Sequence, residues 1–385
     1  MLYHTSVPIR VLELLVTTGI GGGPKQVYDL VRSLPRGEFE VVVAAPRDGI
    51  FFERFQELGV RVEELPIRRL GVRHLLSTIR LIRALGIHVV HTHGKGPGLY
   101  GRLAAWWTGV PAVHTFHGIH YRGYSPLGQV LYLGMERVLS RLTHTVINVS
   151  ASQEAEGLRL RLFQPSQSAV VVNGVDLEAL DRLIAGASIR RESLGLTAGE
   201  VVLGCVTRFD PIKRVETLLD ALRRLAPRQP RLTLVLVGGG GEEERIRRLV
   251  AEMGLNERVI FTGFLENSLR VCPVLDLYVS TSLKEGLPLS LVEAMGAGLA
   301  VVATDVPGHR DLVVHDETGL LVPPEEPAAL AEAIASLLAD PERRRRMGEA
   351  GRRRVLKEFG VEAMVDGTAE VYRRCVSLSR SKGKK

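Results

Sequence analysis

The segment Leu277–Met295, LYVSTSLKEGLPLSLVEAM, shows the pattern on which the fold prediction rests. It starts with a short β-rich run, passes through a loop that carries Glu285 and Gly286, and then follows the apolar periodicity of a helix. Pro288 stands near the first turn of that helix, where proline is favoured because its missing N–H has no intrahelical acceptor. The segment therefore predicts a strand, a loop at its carboxyl end and a helix, which together form part of a βαβ unit.

The same alternation of β-rich runs and helical patterns extends over most of the 385 residues. In the first half, strands are predicted at Ile9–Val16, Phe39–Ala44, Val60–Leu65, Ile87–His91, Ala112–Thr115, Thr145–Val149 and Ala169–Val172. In the second half, they are predicted at Val201–Thr207, Leu232–Val237, Val259–Phe261, Leu277–Ser280, Ala300–Ala303 and Leu320–Val322. Helices are predicted between them, among others at Lys25–Leu34, His74–Leu85, Leu99–Thr108, Val215–Leu225, Glu242–Met253, Leu289–Ala297 and Ala328–Ala339. This alternation indicates parallel sheets, so the sequence predicts an α/β protein of two doubly wound, Rossmann-like domains.

Two domains are also what the length favours, at roughly 100–200 residues per domain. We predict an N-terminal domain over residues 1–180 and a C-terminal domain over residues 181–360. Two consecutive helices, Pro341–Lys357 and Val361–Ser379, end the chain without a strand between them. The second of these helices is expected to pack back on the first domain.

The charge pattern and the cysteine content narrow the class of protein and its location. The net charge is +7, and part of the excess lies in basic clusters at residues 343–346, 352–354 and 380–385. Such clusters are typical of solvated helix faces or of surfaces that meet anionic lipid, and without an aromatic-interleaved basic motif we expect no nucleic-acid partner. The charges within the apolar run Ile9–Val16 argue against a signal peptide. Three dispersed cysteines and the lack of an apolar run of roughly 18 residues fit a cytoplasmic protein that at most rests on the inner membrane surface.

Candidate phosphate-binding residues follow the first strand of each predicted domain, where doubly wound sheets bind ligands. In the first domain Gly21–Gly23 precede a helix, and their small size lets backbone N–H groups approach an anion, although a flexible turn is the alternative. Pro24 breaks the dinucleotide-binding fingerprint. In the second domain Arg208 and Lys213 can point at one diphosphate, unless the loop is basic by chance. The later run Gly238–Gly241 either admits a ligand closely or forms a tight turn.

Two glutamates of the opening segment are candidates for binding hydroxyl groups. Carboxylates repel a phosphate, but they accept hydrogen bonds from hydroxyls on either side of it. Glu285 in the loop and Glu293 in the helix could therefore hold a sugar at one end and a ribose at the other. The residues near the helix N-terminus, where backbone N–H groups bind phosphate, are Gly286, Leu287, Pro288 and Leu289.

Histidines collect at the ends of predicted strands in the first domain, at His91, His93, His114, His117 and His120. Zinc binding is one alternative, but neither a nearby cysteine nor an HExxH pattern accompanies them, so we predict no metal site. His117 is the best placed to face a cleft, because Gly118 opens space beside it. The other histidines are expected to be structural residues at strand ends.

Taken in order, these motifs resemble those of the nucleotide-sugar glycosyltransferases of family four, also called glycosyl transferases group 1, which have the GT-B fold. The resemblance covers nearly the whole chain and rests on an ordered set of motifs: Gly21–Gly23, Thr115–Gly118, Val149–Ser150, Asn173–Asp176, Arg208 with Lys213, Val235–Gly238, Phe261–Gly263, Glu285–Pro288, Glu293–Met295 and Thr318–Val322. It implies two Rossmann-like domains that face a central cleft. It also implies retaining transfer of a hexose-type sugar from a nucleotide-diphosphate sugar to a hydroxyl acceptor, by front-face attack and without a metal or cofactor.

The resemblance implies a role for each residue that matches a family motif. Arg208 and Lys213 stabilise the donor diphosphate as charge builds on the leaving group. Glu285 binds hydroxyls of the transferred sugar, Glu293 binds the ribose, and His117 contacts the sugar near its reacting centre. The other residues implied in donor binding are Gly22 and Gly23, through amides that touch the phosphate, and Gly263, Phe264 and Leu265, near which backbone groups recognise the base.

Two segments depart from the family pattern. An acidic residue often follows the glycine loop, where this chain has Pro24 and Lys25, and a glycine-pair-then-Pro-Glu segment is replaced by Val306–Asp311. Both departures concern acceptor contacts more than donor binding. Two other functions stay open: a nucleotide-sugar 2-epimerase, and a non-catalytic protein that binds sugar nucleotides or polysaccharide.

One segment of the first domain, Tyr121–Leu142, mixes aromatic, apolar and arginine residues. With Trp106 and Trp107 it could lie on a membrane as a basic, aromatic-rich helix, or it could be an ordinary core helix. The lysine-ended tail and the run from His91 to Ala104 resemble family members that build bacterial surface polysaccharides on lipid carriers. A lipid-linked acceptor and a role in polysaccharide biosynthesis are therefore further expectations.

Overall fold

The computed structural model describes residues 7–66, 71–119, 121, 123–186, 189–265 and 268–382. The chain divides into two compact units, Met1–Gly174 with Val361–Lys385, and Val175–Gly360. The division falls a few residues before the predicted boundary at residue 180. The reason is that Val175 already belongs to the second unit, where its N–H donates to the carbonyl of Phe359 at 2.9 Å.

The elements alternate along the chain as the sequence predicts. The strands are β1 Ile9–Leu15, β2 Phe39–Ala45, β3 Arg61–Glu64, β4 Val89–His93, β5 Ala112–Phe116, β6 Thr145–Asn148, β7 Ser168–Val170, β8 Val201–Val206, β9 Leu232–Val237, β10 Val259–Gly263, β11 Leu277–Ser280, β12 Val301–Thr304 and β13 Gly319–Val322. The α-helices are α1 Gly22–Ser33, α2 Phe51–Glu57, α3 Val72–Ala84, α4 Lys95–Thr108, α5 Pro126–Ser140, α6 Ala151–Arg159, α7 Leu177–Gly186, α8 Val215–Leu225, α9 Glu243–Glu252, α10 Leu289–Gly296, α11 His309–Leu312, α12 Pro327–Ala339, α13 Pro341–Glu358 and α14 Val361–Lys382.

Each unit of the described chain holds one parallel sheet. The first sheet has the strand order β3-β2-β1-β4-β5-β6-β7, and the second has the order β10-β9-β8-β11-β12-β13. In both sheets the order reverses beside the first strand, between β1 and β4 and between β8 and β11. Ligands of doubly wound sheets bind beyond the carboxyl ends of the strands at such a reversal. The prediction of two doubly wound parallel sheets is confirmed.

The helix α4 packs closely on the first sheet because two of its residues are glycines. A Cβ atom at Gly101 would lie 2.3 Å from Cγ2 of Thr92, and one at Gly98 would lie 2.8 Å from Cε1 of His114. The sequence predicted that this helix begins at Leu99, but it begins at Lys95. Of the glycines before Leu99, Gly98 is needed for packing, because a Cβ atom there would overlap the ring of His114.

The last helix, α14, belongs to the first unit. Met364 and Tyr372 on this helix are buried in one hydrophobic core with Val11, Val27 and Phe39. The fold therefore brings the end of the chain against the strand with which it begins, and Tyr372 reaches the polar residues described below.

The predicted segment Tyr121–Leu142 contains the helix α5. Tyr121 lies outside this helix and is buried, whereas Arg122 lies outside the described residues. Within the described part of the chain, no helix combines the length and the apolar character that crossing a membrane requires.

Candidate active site

The first group of candidate residues lies at the carboxyl edge of the first sheet. His117 follows β5, and a Cβ atom at Gly23 would lie 3.5 Å from Cδ2 of its ring, so these two predicted residues are neighbours. The sequence predicted that the glycine run precedes the helix, which would begin at Lys25, whereas α1 already begins at Gly22. The first backbone N–H groups of a helix have no intrahelical acceptor, so the amides of Gly22 and Gly23 are suited to an anion. Pro24 is tolerated in the same turn because its missing N–H is not needed there.

A buried chain of hydrogen bonds leads to His117. The hydroxyl of Tyr372 on α14 donates to Oε1 of Glu13 on β1 at 2.5 Å. Nε2 of His93, at the end of β4, lies 2.7 Å from Oε2 of Glu13, and Nδ1 of His93 lies 3.0 Å from Nε2 of His117. Neither Glu13 nor Tyr372 belongs to a predicted site motif, and the two residues lie 359 positions apart along the chain.

The charge state of Glu13 determines which nitrogen of His117 carries a hydrogen. Burial opposes ionisation, but the charge of His91 and the hydrogen bonds from His91 and His93 hold the pKa of Glu13 below its ordinary range, so this carboxylate only accepts. Burial and the charge of His91 lower the pKa of His93 to about 4 against the opposing effect of Glu13, so His93 is neutral at pH 7. Nε2 of His93 must therefore donate to Glu13, and its Nδ1 must accept from Nε2 of His117. With its hydrogen on Nε2, an uncharged His117 ring has Nδ1 as its acceptor, which suits a hydrogen bond from a sugar hydroxyl.

His91 also belongs to this network. His91 lies with Nδ1 2.6 Å from the hydroxyl of Tyr372 and with Nε2 2.7 Å from that of Thr115. Ligand atoms of Glu13, His91 and His93 lie within 4.8 Å of one another, a spacing that suits a metal ion. Each of these atoms also takes part in a hydrogen bond of the network. The predicted absence of a metal site stays a prediction.

His114 contacts neighbouring side chains of the first sheet, as expected for a structural residue. His120 lies outside the described residues. Nδ1 of His114 lies 2.8 Å from the hydroxyl of Thr92, and its ring contacts Phe116 edge to face with centroids 4.5 Å apart. Burial, together with the charge of Arg102, holds the pKa of His114 well below its ordinary value.

Acidification is expected to destabilise the first unit between about pH 6.5 and pH 4. An unfolded histidine binds a proton near pH 6.5, whereas folded His93 does so only near pH 4, so the unfolded state holds the extra proton in this window. The free energy of unfolding therefore falls as the pH falls, by about 3 kcal/mol from His93 alone. Urea unfolding at a series of pH values measures this slope. The control variant is His315→Gln, which removes a histidine whose side chain is 53% exposed, and it should show the same slope as the unaltered protein. A free energy of unfolding that stays constant from pH 7 to pH 5 would contradict the low pKa assigned to His93.

The second group of candidate residues lies at the order reversal of the second sheet. Lys213 follows β8 and Glu285 follows β11, and Nζ of Lys213 donates to Oε1 of Glu285 at 2.6 Å. The hydroxyl of Ser282 donates to the same oxygen at 2.6 Å. Burial opposes ionisation of Glu285, but Lys213, His309 and the hydroxyl of Ser282 hold its pKa below the ordinary value. The two predicted residues are thus an ionised pair, set where the fold binds ligands.

The loop that carries Glu285 is held by residues that sequence reasoning did not assign. A Cβ atom at Gly308 would lie 2.8 Å from Cβ of Glu285, and the positive φ of 29° there also favours glycine. Buried His309 donates from Nδ1 to the carbonyl of Thr304 at 2.7 Å, which leaves Nε2 to accept from the hydroxyl of Ser280 at 3.0 Å. Both residues belong to the segment noted as a departure from the family pattern, and that departure was the signal that could have found them.

Arg208 and the glycines after β9 lie at the same edge of this sheet. Arg208 pairs with Asp210 at 2.9 Å and its side chain is 59% exposed, so it can turn toward a ligand at little cost. A Cβ atom at Gly238 would lie 1.9 Å from the carbonyl oxygen of Thr207, and the φ of 130° at Gly238 also requires glycine. Of the two interpretations of Gly238–Gly241, the structure favours a tight turn that must pass close to the β8 loop.

The other predicted donor-binding residues lie on two elements of the second unit. Gly263 ends β10 with a φ of 67°, and it is followed by exposed Phe264 and half-buried Leu265. Glu293 lies on α10 and is 7% exposed. The sequence placed Pro288 near the first turn of α10, and it lies directly before the first helical residue, Leu289. The residues Gly286, Leu287 and Pro288 form the approach to the helix N-terminus.

Comparison with known proteins decides the family. Residues 20–179 match the family described as Glycosyltransferase Family 4, and residues 188–354 match the family described as Glycosyl transferases group 1. The chain belongs to the group 1 glycosyltransferases of family 4. This glycosyltransferase is 31% identical to the alpha-maltose-1-phosphate synthase of Mycolicibacterium smegmatis, over 74% of this chain and 79% of that protein.

Two further comparisons cover almost the entire glycosyltransferase chain. It is 24% identical to the UDP-Gal:alpha-D-GlcNAc-diphosphoundecaprenol alpha-1,3-galactosyltransferase of Escherichia coli, over 96% of this chain and 97% of that protein. Its fold is similar to that of Anabaena Alr3699/HepE, solved in complex with UDP-glucose, with a TM-score of 0.83 and 23% identity over 95% of this chain and 100% of that one. With the two parallel-sheet units, this similarity confirms the predicted GT-B fold.

Proposed function

We propose that this glycosyltransferase moves a hexose-type sugar from a nucleotide-diphosphate sugar to a hydroxyl acceptor, with retention of the anomeric configuration and without a metal. The observation that carries the proposal is the Lys213–Glu285 pair at the order reversal of the second sheet. Lys213, with Arg208, neutralises the charge that builds on the departing diphosphate, which is the task that a divalent cation performs in other enzymes. Glu285 accepts hydrogen bonds from hydroxyls of the transferred sugar.

The remaining candidate residues complete this assignment. Glu293 accepts hydrogen bonds from the ribose, and Nδ1 of His117 accepts one from the transferred sugar. Retention fits a front-face attack, in which a diphosphate oxygen receives the proton of the attacking hydroxyl. A nucleotide-sugar donor is supported by the printed name of the Escherichia coli relative and by the UDP-glucose complex of the Anabaena protein.

A thermal-shift screen of nucleoside diphosphates and nucleotide sugars tests the donor site. A ligand at 100 times its Kd stabilises the folded state by about 2.7 kcal/mol, so one nucleotide is expected to raise the melting temperature clearly. The shift is expected to persist in EDTA and to shrink in Glu293→Ala, which loses the ribose contact. Glu252→Ala, which removes an exposed glutamate of α9, is the matched control and should keep the full shift.

Two outcomes of this screen, and one of an assay of the donor incubated alone with the protein, would count against the proposal. If no nucleotide shifts the melting temperature, the proposed donor site is wrong. If EDTA abolishes the shift, the proposed metal independence is wrong. Conversion of the donor sugar without any acceptor would favour the 2-epimerase instead.

We further propose that the acceptor is lipid-linked, as in the synthesis of surface polysaccharide, and that α5 rests on an anionic membrane. Leu127, Val130, Leu131 and Val138 are each between 57% and 69% exposed and share one face of this helix, by their spacing of three, four and seven residues. Trp106 and Trp107 on α4 are also exposed, at 60% and 63%. Exposed apolar residues grouped in this way are typical of membrane or partner contact, and the exposed arginines at the end of α5 suit anionic lipid.

Substituting the exposed face of α5 is expected to weaken membrane binding. The triple variant Leu127→Gln/Val130→Gln/Leu131→Gln should bind vesicles of anionic phospholipid at least tenfold more weakly at low salt, because each inserted side chain contributes on the order of 1 kcal/mol. Flotation with such vesicles measures the effect. Leu356→Gln removes an apolar side chain that is 48% exposed in the second unit, and it should leave vesicle binding unchanged. If the unaltered protein fails to float, we would abandon the membrane contact.

A further inference from the structure

A cavity of about 90 Å³ opens beside His117 in the first unit. Its walls come from the residues after β4 and β5 and from the inner face of α5, and they include His117, Phe116, Lys95, Tyr132 and Glu136. The volume has room for several water-sized groups but not for a nucleotide. The cavity therefore suits a small part of a ligand that reaches His117.

Glu136 gives this cavity one specific binding group. Its Oε2 accepts a hydrogen bond from Nη2 of Arg102 at 2.7 Å, and both side chains are about 1% exposed. Among the described residues, Oε1 of Glu136 has no hydrogen-bond partner. A buried carboxylate oxygen without a donor is costly, so this atom requires a hydrogen-bond donor from outside the described side chains.

The surrounding charges indicate that the donor is a neutral hydroxyl group. An anion is disfavoured because Arg102 is already paired with Glu136, and the other carboxylate oxygen of Glu136 would repel it. A cation is disfavoured because it would be repelled by the ammonium of Lys95, which lies 4.6 Å from the ring centroid of Tyr132. Burial and Arg102 keep His114, another wall residue, uncharged near neutral pH, since its pKa is held well below the ordinary value. The rings of Phe116 and Tyr132 add apolar wall, which suits the C–H faces of a polyol ring.

We propose that this cavity is an acceptor subsite, which takes one edge of an uncharged polyol ring, a sugar or a cyclitol, and binds a ring hydroxyl to Oε1 of Glu136. The inference rests on the proposed transferase function, because it gives the acceptor a place next to His117. The subsite positions the acceptor ring and does not itself take part in the transfer.

The test measures ring binding and nucleotide binding in the same samples of the full chain. Saturation-transfer NMR with myo-inositol, methyl α-D-glucopyranoside and methyl N-acetyl-α-D-glucosaminide, each in the presence of UDP, reports ring binding. Glu136→Gln keeps an oxygen for Arg102 but turns the other position into a donor, so it is expected to weaken binding of the preferred ring about tenfold or more. Glu57→Gln, which alters an exposed glutamate of α2, is the matched control and should bind as the unaltered chain does.

The outcomes separate this inference from the proposed function. Binding of at least one ring, lost in Glu136→Gln and kept in Glu57→Gln, supports the subsite. Binding of UDP without binding of any ring, or equal ring binding by Glu136→Gln, overturns the subsite alone. Ring binding at Glu136 without any nucleotide binding supports the subsite and counts against the donor site. If Glu136→Gln does not fold, the backbone amide signals of Gly94 and Gly118 in the unaltered chain decide, because both residues line the cavity and must shift with the ring.

Discussion

Replacing Lys213 with methionine is expected to lower the turnover of the donor by about 10²–10³-fold, as the loss of one preorganised charge-stabilising group does in other enzymes. The ammonium of Lys213 is held within 2.6 Å of Glu285 before any substrate binds, so it needs no rearrangement when charge develops on the diphosphate. Because that charge is larger in the transition state than in the bound donor, kcat should fall more than KM rises. Release of nucleoside diphosphate from the donor that the thermal screen selects measures the effect.

Two controls separate catalysis from folding in this experiment. Lys357→Met removes an exposed lysine of α13 and should leave the release of nucleoside diphosphate unchanged. Unfolding of Lys213→Met must also be measured, because buried Glu285 loses the ammonium group while it keeps its hydrogen bond from the hydroxyl of Ser282. If folded Lys213→Met retains a third or more of the rate of nucleoside diphosphate release, Lys213 does not stabilise the charge on the departing diphosphate.

Replacing Arg102 with methionine is expected to destabilise the first unit by about 3–5 kcal/mol, the usual effect of removing one partner from a buried ion pair. Nη2 of Arg102 donates to Glu136 at 2.7 Å and its Nε donates to the carbonyl of Gly98 at 2.5 Å, both out of contact with water. Methionine has similar volume but offers no donor, so the carboxylate of Glu136 stays buried without its cation. Urea unfolding followed by far-ultraviolet circular dichroism measures the change.

The ion pair offers a matched control and a compensating variant. Arg137→Met removes an exposed arginine of α5 and should cost no more than about 1 kcal/mol. The double variant Arg102→Met/Glu136→Met removes both charges and should recover most of the loss, because a buried pair replaced by apolar residues is often neutral. A single variant no less stable than Arg137→Met would show that Arg102 does not hold Glu136 in solution.

Most of the fold could be predicted from local sequence patterns. Each predicted strand is present to within two residues at its ends, because buried parallel strands are short runs of apolar, β-branched residues between turn signals. The errors concern glycines at helix starts. Gly22 and the run from Lys95 to Gly98 lie outside the predicted helices, whereas their backbones are helical. In the second of these turns, the missing side chain of Gly98 makes room for the ring of His114.

The candidate site was predictable only in part. The sequence identified Lys213 and Glu285 as separate motifs, but it could not show that they pair across 72 residues. From the sequence, the charge of Glu13 was interpreted only as evidence against a signal peptide. In the structure, that carboxylate determines, through His93, that the hydrogen of His117 lies on Nε2. Such contacts depend on which strands are neighbours, and that information is absent from any local pattern.

By itself, the sequence determined the alternation of elements, the two parallel sheets and the order of motifs that marks the family. These features follow from residues near one another along the chain, whose spacing and propensities act locally. Only the tertiary structure decided which groups meet: Tyr372 with Glu13, 359 residues apart, Gly308 with the loop of Glu285, and Arg102 with Glu136 beside a cavity. The physical reason is that a buried charged or polar group needs a hydrogen-bonding partner. Strand order and helix packing decide which partner is near enough.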